Sequence, residues 1–149
     1  MKLEEEIKQS KFKSEFHKLG INIIFTANWL SLHHTKHCKQ YDITPEQFNL
    51  LRILRGQHPK PATVNLLIER MLNKMSNASR LVEKLRKKGL VERQTCESDR
   101  RACDVAITKK GLDLLAKMDK EEGEWNNIFS HLSEEESKKA NLILDKLRK

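Results

Sequence analysis

Residues 73–108 read NKMSNASRLVEKLRKKGLVERQTCESDRRACDVAIT, and the fold turns on how this stretch is wound. At about 100° per residue, a helix over its first half puts Met75, Ala78, Leu81, Val82 and Leu85 on one side. Ser76, Arg80, Glu83 and Lys87 then point the opposite way, with Asn77, Ser79 and Lys84 at the flanks. Asn73 is the expected N-cap, since its side-chain oxygen can accept a free first-turn amide, and Gly89 is the expected residue just past the end. The second half reads as a two-stranded ribbon: Val91, Thr95, Val105 and Ile107 are β-formers on either side of a polar tip, Glu97 to Arg101.

Working outward, Thr63–Met71 carries Val64, Leu67, Ile68 and Met71 at i, i+3, i+4 and i+7, the spacing of a short amphipathic helix. Two short helices across a tight turn, followed by a hairpin with arginines at its tip, are the order of a winged helix-turn-helix.

At this point the residues resemble a family. The run TVNLLIERMLNKMSNASRLVEKLRKKGLVER followed by DRRACDVAITKKG resembles the MarR (multiple antibiotic resistance regulator) family of bacterial transcription regulators, and the resemblance extends over the whole chain. Its most specific parts are Ser79–Arg93, the D-x-R of Asp99 and Arg101, and V-x-I-T-x-x-G at Val105–Gly111. One departure stands out: Leu72 occupies the turn position that usually carries glycine in the family.

The length of 149 residues suits one domain with a single core. With 34% charged residues and only 5% aromatic ones, a helical, aliphatic core is expected. Residues 60–110 hold 13 Lys and Arg against 6 Asp and Glu, whereas residues 111–149 hold 7 against 9. The net charge of +8 is therefore concentrated in the helix-turn-helix and ribbon, the electrostatic footprint of a nucleic-acid binder. No stretch approaches about 18 uninterrupted apolar residues, and the start, MKLEEEIKQSKFK, is too acidic for a signal peptide. A cytoplasmic protein is expected, with no membrane partner. Three cysteines without a repeated spacing make no disulfide framework.

Before the DNA module, Leu3 to Cys38 reads as one long helix or two nearly continuous ones, with Phe12, Phe16, Leu19, Ile23 and Leu30 along it. Ile21–Leu32 is apolar nearly all round, so a second subunit is the expected cover. Thr44-Pro45-Glu46-Gln47 is a capping box with proline at the first helical position, opening a helix to about Arg55 that turns Phe48, Leu51 and Leu54 inward. Residues 56–61, with prolines at 59 and 61, form a loop. After the ribbon, Thr108 caps a helix expected from Lys109 to about Phe129, and Ser133 with Glu136 forms a second capping box for the last helix, with Leu142, Ile143 and Leu147. The fold expected is mainly α with a small β-hairpin wing. It is one domain over 1–149: residues 41–108 form the winged helix-turn-helix, and residues 1–40 and 109–149 supply helices that, by the resemblance, interlock two subunits into a homodimer.

For DNA, the first helix-turn-helix partner braces the backbone and the second reads bases from its N-terminal end. Position selects Ser76, Asn77 and Arg80 as base readers, with Lys74 and Ser79 near bases or phosphate, and Lys84 and Lys87 on phosphate. Neighbouring side chains on a ribbon point opposite ways, so one of Arg100 and Arg101 enters the groove. The resemblance implies that it is Arg101, held by Asp99, in a narrow minor groove. Two copies on a dimer should then bind an inverted repeat in double-stranded DNA.

Three features bear on what such a regulator senses. Trp29, His33, Tyr41, Phe48 and Arg52 are candidates for an aromatic-walled effector pocket with a cationic anchor, and the resemblance implies a small aromatic effector. His33, His34, His37 and Cys38 offer i, i+3 and i+4 pairs suited to zinc, although the helix after the wing lacks the histidines that the family's zinc sensors use there, so no metal or cofactor is assigned. Cys96 and Cys103 bracket the wing tip and are candidates for a redox pair facing each other across it.

No glycine-rich phosphate loop, nucleophile elbow or recognisable carboxylate pair is present, so an enzyme is not expected. The expectation is a sequence-specific DNA-binding regulator, a repressor released by a small molecule. The alternatives are a redox- or metal-responsive regulator of the same fold, and a winged-helix module that binds another protein.

Overall fold

Thr44 and Gln47 open the helix around which the other elements are laid. The Thr44 hydroxyl accepts the Gln47 N–H at 3.3 Å, and Gln47 Oε1 accepts the Thr44 N–H at 3.0 Å. With Pro45 supplying the first turn, the capping box starts its helix at the residue expected. The computed structural model describes residues 2–95, 103–120 and 127–148. Its elements are α1 (Leu3–Glu6), α2 (Glu15–Gln40), α3 (Pro45–Gln57), β1 (Ala62–Thr63), α4 (Val64–Arg70), α5 (Ala78–Lys87), β2 (Val91–Thr95), β3 (Cys103–Ile107), α6 (Lys109–Lys120) and α7 (Glu134–Leu147). The fold is mainly helical with a small antiparallel sheet, as expected.

α3 packs against α2, α4, α5, α6 and β3. Its Leu50, Leu51 and Leu54 are fully buried, joined by Leu67 of α4, Val82 and Leu85 of α5, Val105 of β3, and Leu115 and Met118 of α6. Each such aliphatic side chain contributes about 1.5–3 kcal/mol of transfer free energy. An ion pair between Arg55 and Asp119 ties the end of α3 to α6.

The sheet has the order β1-β3-β2. β2 and β3 are the strands of the expected ribbon, with Val91 opposite Ile107 and Thr95 opposite Cys103. β1 was not foreseen: two residues are too short for an alternating pattern, and Ala62 and Thr63 are recruited by pairing with Val105 and Asp104. Gly111 lets α6 approach the sheet, because a Cβ there would collide with the Leu90 carbonyl oxygen and lie 2.7 Å from Ile107 Cγ1. This is a packing reason for the glycine that ends V-x-I-T-x-x-G.

Of the one long helix or two nearly continuous ones expected over Leu3–Cys38, two form, but a gap of eight residues parts them. α1 ends at Glu6 and α2 begins only at Glu15, where the Ser14 hydroxyl accepts the His17 N–H at 3.1 Å. Lys8 takes a positive φ of 53°, which a helix cannot contain. The polar run Gln9-Ser10-Lys11 offers no apolar stripe to carry the helix through. An ion pair from Lys18 to Glu4 folds α1 back along α2.

Downstream, α6 ends at Lys120 in the described part, so the expected continuation toward Phe129, with Trp125, falls largely outside the described residues. The second capping box holds: Glu136 donates its N–H to Ser133 Oγ at 3.2 Å, and Glu136 Oε2 accepts the Ser133 N–H at 2.8 Å. Among the described residues no helix is long and apolar enough to cross a membrane.

Candidate nucleic-acid interface

α5 is anchored by one face and open on the other. Ala78, Val82 and Leu85, at i, i+4 and i+7, are buried against α3, α4 and β2, while Ser79, Arg80, Lys84, Arg86 and Lys87 are exposed. Its far end closes as a Schellman motif: Gly89 has φ +70°, its N–H reaches the Arg86 carbonyl at 2.9 Å, and the Leu90 N–H reaches the Leu85 carbonyl at 3.0 Å. Lys84, Arg86 and Lys87 in the last turn also face the negative end of the helix dipole. Arg86 is engaged locally, donating to both carboxylate oxygens of Glu83 at 2.8 and 3.1 Å. That bond holds the Glu83 carboxyl below its ordinary range.

The near end differs from the sequence expectation. The N-cap is Asn77, not Asn73: Asn77 Oδ1 accepts the Arg80 N–H at 3.0 Å, and the helix begins at Ala78. Both asparagines are good caps by type, but Asn73 is taken up by the preceding turn, where its Oδ1 accepts the Met75 N–H, and the cap falls to Asn77. The side chain expected to read a base is thus the one that caps the helix. Lys74 and Ser76 lie in the preceding turn, and the Lys74 ammonium donates to the Glu69 carbonyl.

Met75, expected in the core, is 92% exposed, because the turn that carries it is not helical. The same turn explains how Leu72 replaces glycine. Among the described residues the only non-glycine positions with positive φ are Lys8 and Asp42, so this connection needs no left-handed residue. Asn73 closes it, its carbonyl accepting the Ser76 N–H at 3.2 Å and its Oδ1 the Met75 N–H at 3.0 Å.

β2 and β3 form the root of the wing beside α5. Asp99, Arg100 and Arg101 lie outside the described residues, as does Cys96. The backbone partner of Cys103 at the end of the ribbon is Thr95.

The five aromatic-pocket candidates are shared among different settings. Trp29 meets His33 edge-on at 4.8 Å and lines a cleft of about 400 Å³ with Leu3, Asn22 and Phe25. Phe48 sits between His34, at 5.4 Å, and the Arg52 guanidinium, at 5.7 Å. Tyr41 meets His37 at 5.5 Å and walls a separate cleft with Lys87, Lys88 and Lys117. The three histidines weighed above as zinc ligands thus face three different rings. Cys38 is buried in the core, where loss of solvent pushes its thiol up to about 11. Burial, then the charge of His37, lowers the His34 pKa. Among the described residues no cluster of three His, Cys, Asp or Glu could hold a metal ion.

Residues 41–102 match the model of the MarR family. Over 121 residues the chain is 28% identical to the HTH-type transcriptional regulator MhqR of Bacillus subtilis, covering 79% of this chain and 82% of that one. Residues 41–102 thus carry the MarR-type winged helix, and the whole chain has the fold of MarR-like regulators. Its fold is shared with S. aureus MepR in complex with DNA (TM-score 0.71, 23% identity, 84% and 90% coverage). It is shared as well with Bordetella bronchiseptica BpsR, whose DNA binding is regulated by 6-hydroxynicotinic acid (TM-score 0.69, 20% identity, 86% and 99% coverage). Members of the MarR family regulate transcription rather than catalyse reactions.

Proposed function

We propose that this MarR-like chain is a homodimeric repressor that binds an inverted repeat in duplex DNA and lets go when a small aromatic effector binds. The observation that carries the reading is α5, held to the core by Ala78, Val82 and Leu85 while Ser79, Arg80, Lys84 and Lys87 project into solvent beside the ribbon. Lying in the major groove, this helix uses Arg80 to grip guanine through two hydrogen bonds, with Ser76 and Ser79 close to base edges. Lys74, Lys84 and Lys87 serve phosphate. In the wing, Arg101 enters the minor groove and Asp99 orients it, with Arg100 turned the other way.

The division of labour follows: residues 41–108 hold DNA, and residues 1–40 and 109–149 join subunits. In the single chain α2 exposes Phe16, Ile24 and Leu32, and α7 exposes Leu142, Ile143 and Leu147. That much apolar helix surface favours burial against a second copy. A two-fold axis then spaces the two α5 helices roughly 34 Å apart, one turn of DNA. Such a protein works in the cytoplasm, with the chromosome. The small-molecule part rests on the cleft beside Trp29, whose volume of about 400 Å³ suits a single aromatic ring, and on the effector response named for BpsR.

The test is anisotropy titration of duplexes that the full chain selects from a random pool. Specific binding should fall steeply with salt as counterions are released. Arg80→Ala should cost about 1–3 kcal/mol on the selected duplex and relax its preference at one position, while Lys84→Ala weakens all duplexes alike. A monomer in solution, or equal affinity for selected and random duplexes, would overturn the proposal.

A further inference from the structure

Leu72 and Met75 stand out from the turn before α5, 85% and 92% exposed, and Ile68 on α4 is exposed as well. One apolar side chain in solvent is ordinary, but a cluster in a short segment marks a contact surface. The turn is fastened from behind: the Leu72 N–H donates to Asn49 Oδ1 of α3 at 3.0 Å, and the Met75 N–H donates to Asn73 Oδ1 at 3.0 Å. Met75 is thus presented by a fixed backbone. Arg70, Lys74 and Arg80, all exposed, lie within five residues of it in sequence. That density of positive charge fits a partner that carries phosphates.

Duplex DNA offers one prominent apolar group in its major groove, the 5-methyl of thymine. Met75 lies two residues before the N-cap Asn77, at the end from which a groove-lying helix reaches base edges. Its unbranched thioether can follow a methyl group whose position varies slightly with DNA geometry. We infer that Met75 packs on a thymine 5-methyl in each half-site and so sets a thymine preference there, with Leu72 beside it. This rests on the reading of the chain as a DNA-binding dimer.

The probe is a duplex selected by the full chain from a random pool, with each thymine replaced in turn by deoxyuridine, which removes only the methyl. At one thymine per half-site the wild-type protein should lose about fourfold in affinity, the worth of one buried carbon. Met75→Ala should bind the thymine and uracil duplexes alike. Its melting temperature should match wild type, since Met75 packs on little in the free chain. A wild-type protein indifferent to uracil at every position overturns the inference, as does a Met75→Ala variant that keeps the full methyl sensitivity. In both cases selective binding persists and the regulator reading survives; failure to select any duplex overturns both.

Discussion

The Lys88 ammonium donates to Asp42 twice, to Oδ2 at 2.9 Å and to the backbone carbonyl, joining the end of α5 to the turn between α2 and α3. Asp42 holds φ at +55°, a left-handed position in which a glycine would be unstrained. Asp42 is largely exposed, so the carboxylate pair alone is worth under about 1 kcal/mol. Asp42→Gly should therefore leave stability within about 0.5 kcal/mol, strain relief offsetting the lost pair, whereas Asp42→Ala should lose about 1 kcal/mol. Urea melts check both, and the gap should persist at about 1 M salt, where the pair itself is screened.

Asn77 caps α5, so its replacement is first a stability experiment. Asn77→Ala should cost about 1 kcal/mol, and Asn77→Ser or Asn77→Asp, which keep an acceptor for the Arg80 N–H, should cost little. Chemical denaturation gives these values. If Asn77→Ser restores stability and DNA affinity together, the residue acts through the helix rather than by touching adenine.

Those asparagines also show how far the sequence could be read. The capping boxes at Thr44 and Ser133 and the glycine cap at Gly89 were legible to the residue, because each is a local bargain between neighbouring side chains and backbone amides. The start of α5 was not. Asn73 and Asn77 are equally good caps in isolation, and a helix begun at either buries Val82 and Leu85; what separates them is the turn that Asn73 closes, tied back to Asn49 of α3 through the Leu72 N–H. β1 is settled the same way, by a partner strand some forty residues distant. Within the candidate interface, the outward Arg80, Lys84 and Lys87 followed from helical period alone. Met75 did not, since its orientation depends on where the helix begins.

Gly111 and Gly20 should respond in opposite directions to the same change. Gly111→Ala forces a methyl into the Leu90 carbonyl and Ile107, costing about 1–3 kcal/mol. Gly20, inside α2, has nothing within 4 Å of the added carbon. Gly20→Ala should stabilise the helix by up to about 1 kcal/mol. Thermal melts of the two variants under one buffer decide it.

Burial makes Cys38 a quiet thiol. With its pKa raised from 9.0 to about 11, it should resist labelling at pH 8 until the chain unfolds. The sign follows from the protonated form being the one that suits the core. The stabilising contribution is complete below pH 9 and is lost as pH climbs toward 11, amounting to about 2–3 kcal/mol. Cys38→Ala should flatten that alkaline decline. A native protein that reacts rapidly with a thiol reagent at pH 8 through Cys38 would contradict the placement.

β3 is the middle strand, paired with β1 on one edge and with β2 on the other. β1 runs straight into α4, whose cap is Thr63. The base of the hairpin is consequently not a flap hung from a hinge: a tilt imposed on it drags the start of the helix pair along.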